Sequence, residues 1–137
     1  MKQEKSCGAV IFRGDEDASR RFYLILKSIQ GHTTLCKGHV ERDETERETA
    51  VREIREETGL TVDFVDGFRE VITYSPRPGR VKDVVFFLAR LSGGEPVCQP
   101  EEVAAIRFLP FGEALAALTH ASDRDTLQKA HAFLEGR

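Results

Sequence analysis

Glu53, Glu56 and Glu57 lie in the run Arg52-Glu53-Ile54-Arg55-Glu56-Glu57-Thr58-Gly59-Leu60. On an α-helix, steps of three and four residues place side chains on one face, so these carboxylates crowd together. Like charges that close are unfavourable unless a cation lies among them. The spacing therefore points to a divalent metal site. Glycines at Gly31 and Gly38 come just before it, and a metal beside a glycine-containing turn suggests phosphate chemistry. Hydrolysis of a phosphoanhydride needs an activated water and a sink for negative charge. Divalent ions supply both, and carboxylates hold them. Oxygen-only ligands favour Mg²⁺ or Mn²⁺, and no cysteine or histidine pair in the chain has zinc spacing.

The elements that must position these acids can be read from periodicity. A helix is expected from Glu44 to Thr58, capped by Asp43 with Glu46 completing a capping box. Gly59 falls where a left-handed residue ends a helix, with Leu60 folding back on Ile54. The helix has a thin apolar stripe, Ala50, Val51 and Ile54, so it should lie on a sheet by one narrow side. Residues 5–12 and 22–27 read as strands, the second apolar enough to be buried on both faces. A charged loop, 13–21, separates them. Residues 28–42 lack periodicity and hold His32 and His39, which marks a functional loop. Strands are expected at 61–65 and 68–74 around Asp66-Gly67, at 82–91 as the central strand, and at 103–109. Glu113 to Leu118 reads as a short helix. Ser122 with Asp125 reads as the N-terminal signature of a last helix reaching about Glu135. No repeat, linker or low-complexity tract divides the chain, so one domain over 1–137 is expected.

The net charge is −3 and no dense basic run appears, which argues against duplex nucleic acid as a partner. A small anion held by a metal and a few placed cations fits better. The opening residues read as a strand rather than a signal peptide, and no apolar run approaches the ~20 residues of a membrane span. Cys7, Cys36 and Cys98 form no close pair, so reduced thiols and a cytoplasmic location are expected. Oligomeric state stays open.

Gly38, Glu44 and the run Arg52 to Leu60 match every fixed position of the Nudix box, and on them the chain resembles the Nudix hydrolases. That resemblance implies an α/β/α sandwich with a mixed central sheet, an α/β fold. It implies metal ligation by Glu53, Glu56 and Glu57, with the carbonyl of Gly38 as a further ligand. It implies that Arg52 orients a catalytic carboxylate and that Glu44 joins the same network. Glu102 matches a family carboxylate facing the metals, as a further ligand or the general base, with Glu101 as its neighbouring rival.

Outside the box, CGAVIFR, KGHVE, GF-x-E near Phe68, K-x-V-x-F-x-LA around Lys82 and the ending AHAFLEG are similar to the asymmetric diadenosine tetraphosphate hydrolases. That implies hydrolysis of a dinucleoside tetraphosphate to ATP and AMP. A purine needs flat walls. Tyr74 ends a strand near the expected site. Phe133 projects about 100° from the stripe Leu127, Ala130 and Leu134. The resemblance implies that two aromatics near these positions sandwich an adenine. Lys82, Lys37, His32 and His39 are candidate phosphate contacts.

The chain departs from the family pattern in the loop before the helix. Thr33 stands for the usual tryptophan, Cys36 for the proline, and Arg42-Asp43 for the Pro-Gly turn. Losing proline frees φ and adds an N–H. Cys36 reads as a small loop residue, with a thiol pKa lowered by Lys37 and redox sensitivity as the secondary reading. Three other readings remain: an inositol pyrophosphate hydrolase using Arg77, Arg80 and Lys82, an RNA 5′-pyrophosphate hydrolase, and a catalytically silent nucleotide-binding regulator.

Overall fold

The computed structural model describes residues 2–14, 21–98 and 101–137. Seven strands form one mixed sheet. They are β1 (Lys2–Arg13), β2 (Phe22–Ser28), β3 (Thr33–Thr34), β4 (Cys36–His39), β5 (Leu60–Tyr74), β6 (Arg80–Gly94) and β7 (Val103–Pro110). The helices among the described residues are α1 (Glu46–Thr58), α2 (Phe111–Ala117) and α3 (Ala121–Glu135). The main path runs β3-β2-β1-β6-β5, with β4 on β1 and β7 on β2. β1 and β6 are parallel, and the other pairs are antiparallel.

Strand alternation divides the core into two layers. Cys7, Ala9 and Ile11 of β1, Leu24 and Leu26 of β2, and Val85, Phe87 and Ala89 of β6 pack with Ala50 and Ile54 of α1. Val10, Phe12, Tyr23, Ile25, Val84, Phe86 and Leu88 point the other way, toward Ala114, Leu127, Ala130 and Leu134 of α2 and α3. The result is the expected α/β/α sandwich, and β2 is buried on both faces as its composition required. β6 is interior, between β1 and β5, but β1 occupies the middle of the path.

Four local readings need correction. First, α1 begins at Glu46 and its cap is Thr45. Thr45 Oγ1 accepts from the Glu48 N–H at 3.1 Å, and Glu48 Oε1 accepts from the Thr45 N–H at 2.8 Å. Glu46 instead takes Lys5 and Arg69 as partners. Second, Val51 is exposed, and Thr49 and Thr58 share the buried face with Ala50 and Ile54. Third, the segments 61–65 and 68–74, expected as two strands, form one, with an irregularity between Phe64 and Arg69. Fourth, α3 starts at Ala121 without a side-chain cap, so Ser122 lies inside the helix. The loop 28–42 also contains the short strands β3 and β4. Most of the loop expected at 13–21 lies outside the described residues.

Gly59 closes α1 as expected, with φ 75° and its N–H on the Arg55 carbonyl at 2.9 Å. Leu60 is buried in the same layer as Ile54.

Candidate active site

The acids leave the last turns of α1 toward β4. β4 is held to β1 by pairing Lys37 with Gly8 and Gly38 with Cys7. At Gly38 a Cβ would stand 1.9 Å from the Glu53 carboxylate. Only glycine lets that carboxylate lie against the β4 backbone, which places the Gly38 peptide and Glu53 together.

Arg52 organises the cluster. Its Nε donates to Glu44 Oε2 at 2.7 Å and its NH2 to Glu44 Oε1 at 3.1 Å. NH1 donates to Glu53 Oε1 at 2.7 Å and to Glu56 Oε2 at 3.0 Å. NH2 also donates to the His39 carbonyl at 2.7 Å. A planar guanidinium can serve these acceptors in fixed directions, which a lysine cannot. The Arg52 bonds, together with the Glu41 N–H, hold the Glu44 carboxyl down at about 2. Glu44 lies ahead of the helix rather than in it, which leaves its carboxylate able to reach back to Arg52.

Glu57 has the opposite electrostatics. Burial pushes its carboxyl up to about 7, with Glu53 and Glu102 adding to the rise and the Cys36 thiol, donating to Oε2 at 3.2 Å, opposing it. Glu53 is also raised, by burial first, against the pull of Arg52. Glu53, Glu56, Glu57, Glu102 and Gly38 line one polar basin of about 390 Å³, together with Lys37, His39, Glu41, Lys82 and Ser6. They are not drawn to a common point: Glu53 and Glu56 turn to Arg52, and Glu57 turns to Cys36. No group of three acidic, histidine or cysteine ligands converges among the described residues. The chemistry of the set nonetheless fits a hard divalent cation: carboxylate oxygens, a backbone carbonyl, and a buried acid raised by neighbouring acids.

Lys37 connects this basin to two further hollows. A small one next to it is bounded by Ser28, Thr34, Lys37, Glu57 and Glu102. Beyond lies a cleft of about 320 Å³ between β5, β6, β3–β4 and the start of α3. Its floor is Ile72, Val84 and Phe86; Tyr74, His120, Ser122, Asp123 and Thr34 complete it. Lys82 is held down in pKa by burial and by Lys37, and His39 by partial burial and by Lys82. A lysine whose charge is disfavoured by burial and by a second lysine, as Lys82 is, is set up to receive an anion.

The structure thus brings Glu53, Glu56, Glu57, Glu102, Gly38, Lys37, His39 and Lys82 to one basin, with Tyr74 in the adjoining cleft. His32 stands at the rim, stacked on His120 with ring centroids 5.5 Å apart. Thr33, at the position of the family's tryptophan, ties the same rim: its N–H donates to Thr119 Oγ1 at 2.8 Å and its carbonyl accepts from the Thr119 N–H at 2.9 Å.

Phe133 does not join Tyr74. It packs edge-on to Phe68, with centroids 5.7 Å apart, and its ring lies 3.1 Å from where a Cβ on Gly67 would be. Gly67 and Tyr74 are about 20 Å apart at the usual rise of a strand. The aromatic residue across the cleft from the β5 side is His120, which the sequence reading missed because it lies just before a helix, outside any apolar pattern. Cys36 also departs from expectation. Its thiol is buried, and burial, Glu57 and Glu53 push its pKa well up despite Lys37. Arg80, one of the cations assigned to an inositol pyrophosphate site, faces Glu4 at 3.9 Å.

This is the architecture of a Nudix hydrolase. The NUDIX domain model matches residues 2–130, and the chain belongs to that family, as an enzyme of the pyrophosphohydrolase kind. It is similar to the bis(5′-nucleosyl)-tetraphosphatase [asymmetrical] of Mus musculus, with 34% identity over 95% of each chain. The Rattus norvegicus protein of the same description is 33% identical over the same shares. The crystal structure of a C. elegans Ap4A hydrolase binary complex superposes with a TM-score of 0.85 at 28% identity, covering 98% of this chain and 99% of that one. Nudix hydrolases generally use divalent metals. Among the described residues, no helix is long and apolar enough to cross a membrane.

Proposed function

We propose that this chain, as one Nudix domain over 1–137, hydrolyses diadenosine tetraphosphate to ATP and AMP with Mg²⁺, Mn²⁺ being an alternative metal. The observation that carries the reading is the position of Lys37. It lies between an aromatic-walled cleft and a basin of carboxylates, which matches the order base, phosphates, metal along a nucleotide. The relatives named as asymmetrical tetraphosphatases support the same substrate.

Glu53, Glu56 and Glu57, with the Gly38 carbonyl, would hold the metal. When bound, it neutralises phosphate charge and makes water a stronger nucleophile. Arg52 keeps Glu53 and Glu56 oriented while its other face is anchored on Glu44. Lys37, Lys82, His39 and His32 contact the phosphate chain, and the repulsion between Lys37 and Lys82 is relieved as they do so. Glu102, exposed at the edge of the basin, accepts the proton of the attacking water. Tyr74 and His120 flank the adenine, where stacking contributes roughly 1–3 kcal/mol. The unbridged cysteines accord with a cytoplasmic setting.

The test is product analysis with Mg²⁺ across dinucleoside polyphosphates, nucleoside triphosphates, capped RNA and inositol pyrophosphates. ATP and AMP from diadenosine tetraphosphate are expected in equal amounts. Two ADP, or faster turnover of an inositol pyrophosphate, would overturn the assignment.

A further inference from the structure

We propose that Asp123 selects the base in the cleft by accepting a hydrogen bond from an exocyclic amine, favouring adenine over its deaminated counterpart hypoxanthine. The inference rests on the reading that this cleft receives a nucleobase, and it goes further by naming the edge that is recognised. Asp123 lies in the first turn of α3, is only 4% exposed, and still lines the cleft. It is the carboxylate among the cleft residues; Thr34 and Ser122 contribute hydroxyls, which donate or accept as needed. Its Oδ2 accepts from the Leu35 N–H at a long 3.4 Å, leaving room for a better donor. The floor of Ile72, Val84 and Phe86 suits the face of a flat ring, so the edge of that ring is what meets the polar wall.

Adenine presents an amino group there, and hypoxanthine presents a carbonyl oxygen. A carboxylate facing an amine makes a charge-assisted hydrogen bond. A carboxylate facing a carbonyl leaves two acceptors opposed and desolvated, a mismatch that sites built on hydrogen bonds reject strongly. The expected preference is about tenfold or more.

The experiment is calorimetric titration of the whole protein with ATP and with ITP in EDTA, where neither metal nor turnover enters. Wild type is expected to bind ATP at least about tenfold more tightly. In Asp123→Asn the ratio should fall to within about twofold, because an amide can turn a donor toward the carbonyl. A purely structural Asp123 would weaken both ligands alike and leave the ratio unchanged, which would overturn the proposal. If Asp123→Asn does not fold, the wild-type ratio decides: equal affinities overturn it. Binding of neither nucleotide, nor of adenosine or inosine, would remove the base-cleft reading itself, an outcome distinct from equal binding.

Discussion

Replacing Glu57 with glutamine should stabilise the metal-free protein while abolishing turnover. The unfolded carboxyl titrates near 4.5, and the folded one near 7 because it is buried among other acids. A folded pKa raised above the unfolded one makes the ionised group a liability. The folded state is unaffected below about pH 4.5, loses stability as pH rises to about 7, and loses no more above it. At about 1.4 kcal/mol per unit, that loss reaches roughly 3 kcal/mol as an upper bound at pH 8. Glu57→Gln removes it. For a chain of this size the melting temperature in EDTA at pH 8 should rise by up to about 10 °C, and at pH 4 by almost nothing. Adding Mg²⁺ should then raise the melting point of wild type and leave the variant nearly unmoved. The assays are thermal melts at two pH values with and without metal, plus turnover of diadenosine tetraphosphate. A variant that melts lower than wild type at pH 8 in EDTA would refute the electrostatic argument, and one that keeps normal turnover would refute the ligand assignment.

Gly38→Ala puts a methyl group where the Glu53 carboxylate lies; turnover should fall by about a hundredfold with a small change in melting temperature, since the side chain can move aside. Arg52→Lys cannot reproduce the paired bonds to Glu44 together with those to Glu53 and Glu56, so kcat should drop at least about tenfold with KM nearly constant. His120→Ala and Tyr74→Ala should each raise nucleotide KM, whereas Phe133→Ala should leave it unchanged and cost about 2–4 kcal/mol of stability in denaturant melts. Cys36 should resist alkylation at pH 8 in the folded protein, while the less buried Cys98 reacts first; rapid labelling of Cys36 mapped by mass spectrometry would contradict its placement.

The acids of α1 were legible because their spacing is itself a statement of helix geometry. The two-sided burial of β2 was legible because its residues from Phe22 to Leu26 are apolar or aromatic on both faces. The start of α1 was not. Asp43 with Glu46 and Thr45 with Glu48 offer the same capping signature two residues apart, and local sequence cannot choose between them. Distant partners decide: Lys5 and Arg69 take Glu46, and Arg52 draws Glu44 out ahead of the helix. Asp66-Gly67 misled in a similar way. The pair suits a hairpin, but β6 is long enough to pair on both sides of it, so the chain bulges and continues, with Gly67 at φ 100°.

The cleft beside Lys37 was the least legible part, and the reason is topological. Thr34, Tyr74, Phe86 and His120 are far apart in sequence and share no periodic pattern. They meet because β1 accepts β6 in parallel while β2 and β3 run on its other side, which brings the β3–β4 segment over the same face as the end of β5. Phe133 is the complementary case. By helical geometry it lies off the apolar stripe, so it resembled a free aromatic wall. The bulge at Gly67 leaves room for it on Phe68, and the core extends around α3 to cover it. A residue's position on its own helix therefore did not decide between packing and binding; the shape of the strand opposite did. His120 has the reverse history: ordinary in sequence, it stands at the cleft because Thr33 and Thr119 clamp the two loops that carry His32 and His120. Removing the hydroxyl half of that clamp with Thr119→Val should raise nucleotide KM without altering the metal-dependent step, and an unchanged KM would show that the rim does not need the hydroxyl to hold its ring.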